Sequence, residues 1–195
     1  MLDKYVNKIA WTARAVRRNA CIETIFDNGD PHRPEYIRRV RGPVYIEPLY
    51  GYAVTESGVL IEESMRPHFR MPTQTWRNGL PSPNWFDRTI NNPGLVDCHK
   101  TVVSLRHFWE WNYYHFHLDV LGKRSILKSQ GLPPDLPMAL GRYVRELPFA
   151  AAIIGMGRLR EKNWLVPDIE NRHIIRADEL FYCCVDGYSY RRRAD

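Results

Sequence analysis

The stretch WEWNYYHFHLD, Trp109 to Asp119, gathers five aromatic residues, two histidines and two carboxylates into eleven positions. On a helix, residues three, four and seven apart share a face. Trp111 or Asn112, then His115, then Asp119 therefore line up, and His115 and Asp119 stand at i and i+4. An aspartate in this setting can take a proton from a hydroxyl nucleophile, while a neighbouring histidine tunes or orients it. The same spacing also describes a plain surface His–Asp pair worth about 0.2–0.5 kcal/mol. A second face, Trp109, Tyr113, Phe116 and Val120, reads as core. The aromatics suit sugar rings as platforms and suit a core equally well. His117 reads as a satisfied, partly buried histidine.

The elements that must hold this stretch follow from the flanking texture. TVVSL, from Thr101, is a short apolar strand, and Trp109 to Ser129 is the helix. GLPPD, Gly131 to Asp135, stops it, because two prolines cannot continue a helix. LPMAL is a strand, and Arg145 to Gly155 is a helix ended by Gly155 and Gly157. NWLVP and HIIRADELFYCC supply further short strands. Strands alternating with helices predict a parallel, Rossmann-like α/β sheet over residues 100–195. Residues 35–99 read as a β-meander, PVYIEPLYGYAVTESGVLIEES with a turn at Ser57–Gly58, followed by a long irregular loop from Arg66 to Pro93. Residues 1–34 read as a basic helix, Lys4 to Arg18, and a polar loop, Asp27 to Pro34. That helix reads as a solvated surface element that also suits weak contact with an anionic membrane surface.

The bulk numbers bound the class. At 195 residues the chain is one ordinary domain or two small ones. No run approaches the roughly 18 apolar residues of a membrane span, and the N-terminus has no apolar signal region. A cytoplasmic protein, peripheral to the membrane at most, is the expectation. Net charge is +6, from 28 basic and 22 acidic residues. The arginines are spread over three clusters rather than one stripe, so a pI near 9.2 predicts no specific nucleic-acid partner. Cys21, Cys98, Cys183 and Cys184 show no metal-ligand spacing and read as free thiols. No Asp-x-Asp pair is evident, so no residue is assigned as a metal ligand and metal assistance stays open. GMGR, Gly155 to Arg158, reads as a helix stop rather than a phosphate loop, and the tail YSYRRRAD as a solvated end.

Asn112 to Leu140, NYYHFHLDVLGKRSILKSQGLPPDLPMAL, resembles glycosyltransferase family 61, in which an N-[FYM]-[YF]-H-x-x-x-[DE] helix is followed by a similar break and a short apolar strand. The resemblance extends over about residues 42–185. It implies the Rossmann-like N-terminal half of a GT-B glycosyltransferase: an inverting enzyme that moves a sugar from a nucleotide donor, often UDP-linked, to a hydroxyl acceptor in glycan or polysaccharide synthesis. Carried over by position, Asp119 is the base, His115 its neighbour in the cleft and Asn112 the residue that opens the motif; Asn112, Trp111 and His117 are the candidate substrate contacts of this stretch. His117 stands where an apolar residue is common in the family. The nucleotide sugar is a co-substrate, so no further cofactor is implied. The resemblance also implies a donor-binding half that these 195 residues do not include, supplied by a second polypeptide, a homodimer or a longer product. The alternative expectation is a non-catalytic module that binds carbohydrate or a protein partner.

Overall fold

Twelve consecutive residues, Ile174–Val185, alternate little and are apolar at most positions, the pattern of a strand with neighbours on both sides. In the computed structural model this strand, β7, lies in the middle of a seven-stranded mixed sheet. The structure describes residues 22–30, 35–48, 51–56, 61, 91–107, 109–156, 164–166 and 174–185. The strands are β1 (Ile22–Asp27), β2 (Glu35–Ile46), β3 (Ala53–Thr55), β4 (Val96–Ser104), β5 (Met138–Ala139), β6 (Trp164–Leu165) and β7. Their order across the sheet is β1-β2-β7-β4-β5-β6, with β3 also paired to β2.

The α/β class holds, but the sheet is not parallel throughout. β7, β4, β5 and β6 run parallel. β2 lies antiparallel along β7, from Glu35↔Val185 to Ile46↔Ile175, and β1 and β3 lie antiparallel to β2. The meander and the α/β segment thus share one sheet, and the boundary expected between residues 99 and 100 falls inside β4. Strand β2 also begins at Glu35, well before the PVYI stretch, and β7 replaces the short strands expected from HIIRADELFYCC. The expected helix over Lys4 to Arg18, the turn at Ser57–Gly58, most of the Arg66 to Pro93 loop and the arginine-rich tail lie outside the described residues.

Among the described residues, three helices follow β4 and β5. Helix α1 starts at Tyr113–His115, passes through a π-helical stretch at Phe116–Leu121 and continues as Gly122–Ser129. Asn112 caps its start: the side-chain oxygen accepts from the Tyr114 and His115 N–H groups at 2.9 and 3.4 Å. The end is closed by Gly131 at φ +72, while the Leu132 N–H reaches the Leu127 carbonyl at 3.1 Å. The single helix expected from Arg145 to Gly155 is two, α2 (Tyr143–Glu146) and α3 (Pro148–Met156). Leu147, the residue before Pro148, is extended at φ −94, ψ 120, because a proline disfavours helical backbone in its predecessor.

Phe116, Val120 and Leu127 of α1, with Val144 and Ala150, pack on Ile37, Val103, Leu105, Met138, Leu140 and Cys183. This layer fixes α1 against the sheet at the carboxyl end of β4. Tyr113, expected in the core, is 60% exposed. A second cluster, including Val40, Val44, Ile46, Val102 and Leu180, is built from the strands and Ile61. Among the described residues, no helix is long and apolar enough to cross a membrane.

Candidate functional site

β4 is flanked by β7 on one side and β5 on the other. The chain leaves β4 toward β5 and returns, after β6, to the opposite neighbour. The carboxyl end of β4 is therefore a switch point, where open α/β sheets leave a crevice. The residues that leave it are Leu105, Arg106 and His107.

Charged side chains shape this exit. Arg106 lays its guanidinium along Glu110, with Nη2 2.9 Å from Oε1 and Nε 3.2 Å from Oε2, and Nη1 donates to the Pro48 carbonyl at 2.9 Å. The two side chains are buried, and the forked pairing is the geometry that makes arginine suited to such a place. Glu110 Oε2 also accepts the His107 N–H at 3.3 Å. From α1, Lys123 Nζ donates to the Arg106 carbonyl at 2.6 Å. The turn from His107 to Glu110 then brings the Trp109 N–H to within 3.3 Å of His107 Nδ1.

That contact decides the tautomer of neutral His107. Nδ1 accepts, so Nε2 carries the proton. Nε2 faces Asp119 Oδ2 at 3.6 Å. His115 Nδ1 lies 2.6 Å from the same oxygen. A carboxylate accepts, so His115 donates from Nδ1 and keeps its lone pair on Nε2. The two imidazoles lie 5.3 Å apart at 21°, and Trp109 stands 5.0 Å from the His115 ring. Asp119 is buried, at 4% side-chain exposure, whereas His115 is at 19%.

The structure thus joins two of the candidates, His115 and Asp119, and adds a third group that spacing did not suggest. His107 is eight residues upstream of His115, on the strand exit rather than the helix. The available signal was its place just beyond the apolar strand TVVSL, since the carboxyl ends of parallel strands are where such sheets carry their sites. The other candidates are placed differently. Asn112 has its oxygen committed to the helix cap. His117 Nδ1 pairs with the Tyr113 carbonyl at 2.9 Å, and its ring packs 4.3 Å from Tyr113. Trp111 is at the surface, 48% exposed, beside Tyr113 and Tyr114.

His107, His115 and Asp119 offer three ligand atoms within 4.8 Å of one another, a set of two imidazoles and one carboxylate that metals can use. A metal-bound histidine donates its second ring N–H outward. His107 instead receives an N–H at that nitrogen, so in this orientation it lacks the outward donation of a metal-bound histidine. The arrangement fits a proton network better than a metal centre.

No protein-family model, curated protein or solved structure matches the chain.

Proposed function

We propose that this chain is the acceptor-side half of an inverting glycosyltransferase of family 61 type, and that the His115–Asp119 pair removes the proton of the acceptor hydroxyl. The observation that carries this reading is the 2.6 Å contact from His115 Nδ1 to the buried Asp119 Oδ2, at the carboxyl end of β4. The resemblance of Asn112 to Leu140 supplies the reaction type.

The difference in burial supports a division of roles within the pair. The more exposed His115 meets the acceptor, and Asp119 stands behind it, orienting the ring and stabilising the imidazolium that forms. The acceptor O–H proton passes to His115 Nε2 as the oxygen attacks the anomeric carbon. The bond from that carbon to the donor diphosphate breaks, and the electron pair leaves with the nucleotide. One base on the face opposite the leaving group suffices for inversion. In this reading His115, rather than Asp119, the base that the resemblance implies, takes the proton, and Asp119 acts through the imidazole. The nucleotide sugar, UDP-linked in this reading, is the co-substrate.

The test is release of UDP from a panel of UDP-sugars, in the presence of a mixture of glycan acceptors, by the wild type and by Asp119→Asn. Loss of acceptor-dependent release in a folded variant supports the reading, and unchanged release removes it. The exposed Trp111, Tyr113 and Tyr114 favour carbohydrate binding under either a catalytic or a purely binding role. Glycan binding without UDP release, measured with a donor-binding half supplied, would select the binding module.

A further inference from the structure

Lys123 is a buried cation that proton transfer at the His115–Asp119 pair does not directly use. It lies one turn beyond Asp119 on α1 and is 2% exposed. Its ammonium stands 5.4 Å from the Tyr182 ring and 2.6 Å from the Arg106 carbonyl. Burial lowers its proton affinity, while Cys184, Cys183, Asp119 and Glu110 act in the opposite sense. Burying an ion is costly, and an apolar side chain of similar volume is often as stable or more so. Packing alone does not explain a lysine here.

The peptide that Lys123 grips is the one that carries His107. Its carbonyl goes to Lys123 and its N–H to Glu110 Oε2, while the imidazole is held at Nδ1 by Trp109. These anchors come from α1 and from the turn after His107, and together they leave the ring one orientation. We propose that Lys123 is a positioning residue: its bond to the Arg106 carbonyl fixes the Arg106–His107 peptide so that His107 keeps its Nε2–H turned on Asp119. The inference rests on reading His115–Asp119 as the working pair, because that pair gives the fixed His107 its purpose. The charged and titratable groups around His107 are Arg106 and Glu110 from its own segment and Asp119 and His115 from α1; Tyr182, Cys183 and Cys184 of β7 lie around Lys123.

The test is nitrogen spectroscopy of the imidazoles in the intact chain, labelled with ¹⁵N-histidine and held at pH 8. In the wild type His107 shows the signature of a single tautomer protonated on Nε2. In Lys123→Met that signature is lost, with both nitrogens shifted toward the average of the two tautomers. Lys123→Gln, polar but one atom shorter, gives the same loss and serves where the methionine variant does not fold. Leu127→Ala, one turn further along α1 and equally buried, is the control: it lowers stability and leaves His107 unchanged. A folded Lys123→Met or Lys123→Gln with the wild-type His107 signature overturns the proposal. Because this readout needs no turnover, failure of the transferase reading and failure of the positioning role are seen separately.

Discussion

Gly141 and Glu110 compete for one volume: a Cβ on Gly141 would stand 1.5 Å from Glu110 Oε1 and 2.3 Å from its Cδ. Glu110 is held in place by Arg106 and by the His107 N–H, so it has no easy direction of retreat. Gly51 does the same on the other side, where a Cβ would lie 2.4 Å from Arg106 Cβ on a backbone at φ +77. Two glycines thus give way to one buried ion pair. Gly141→Ala is expected to cost about 1–3 kcal/mol by overpacking, read from urea denaturation. Stability within experimental error of the wild type would show that the Glu110 carboxylate moves freely.

The Arg106–Glu110 pair itself is expected to behave as a buried unit. Arg106→Met or Glu110→Leu alone leaves a buried charge without its partner and costs about 3–5 kcal/mol. The double variant is expected to recover much of that loss, because two apolar groups remove both charges together. A double-mutant cycle in chemical denaturation checks this, and purely additive losses would contradict it.

Burial raises the proton affinity of the Cys183 thiol, from an ordinary 9.0 to about 12. The folded state therefore keeps a proton that the unfolded state gives up above pH 9, and the contribution is lost as pH climbs toward 12. Cys183→Ala, less stable than the wild type at pH 8 because it loses packing, closes that gap by about 1.4 kcal/mol per pH unit above 9. Iodoacetamide at pH 8 is expected to label the exposed Cys98 quickly and Cys183 only in denaturant. A constant gap, or equal labelling of the two thiols, would contradict a buried Cys183.

Trp111 is half exposed and stands next to the motif helix. Under the transferase reading, Trp111→Ala raises the KM for a glycan acceptor and leaves kcat nearly intact, the pattern of lost ground-state binding. Equal acceptor KM in the variant would show that the indole does not stack on sugar.

Much of the helix was legible in the sequence. The i, i+4 spacing of His115 and Asp119 predicts their contact, and the buried Phe116 and Val120 follow from the same periodicity. Tyr113 breaks that pattern because Asn112 caps the helix there, leaving its first turn exposed. The π-helical stretch carries no sequence signal, since its register comes from packing. The place of β7 between β2 and β4 also escapes local reading: strand order depends on long-range burial, and only the apolar run LFYCCV, Leu180 to Val185, hints at a central strand. His107 was missed for the same reason, because tertiary structure brings a strand exit and a helix face together.

Transfer measured against pH in the wild type, Asp119→Asn and His115→Ala tests the working pair most directly. Asp119→Asn removes the carboxylate that orients His115 and is expected to lower kcat by about 10²–10⁴-fold, with folding retained. His115→Ala is expected to fall as far. Full turnover by either folded variant would contradict proton removal by this pair.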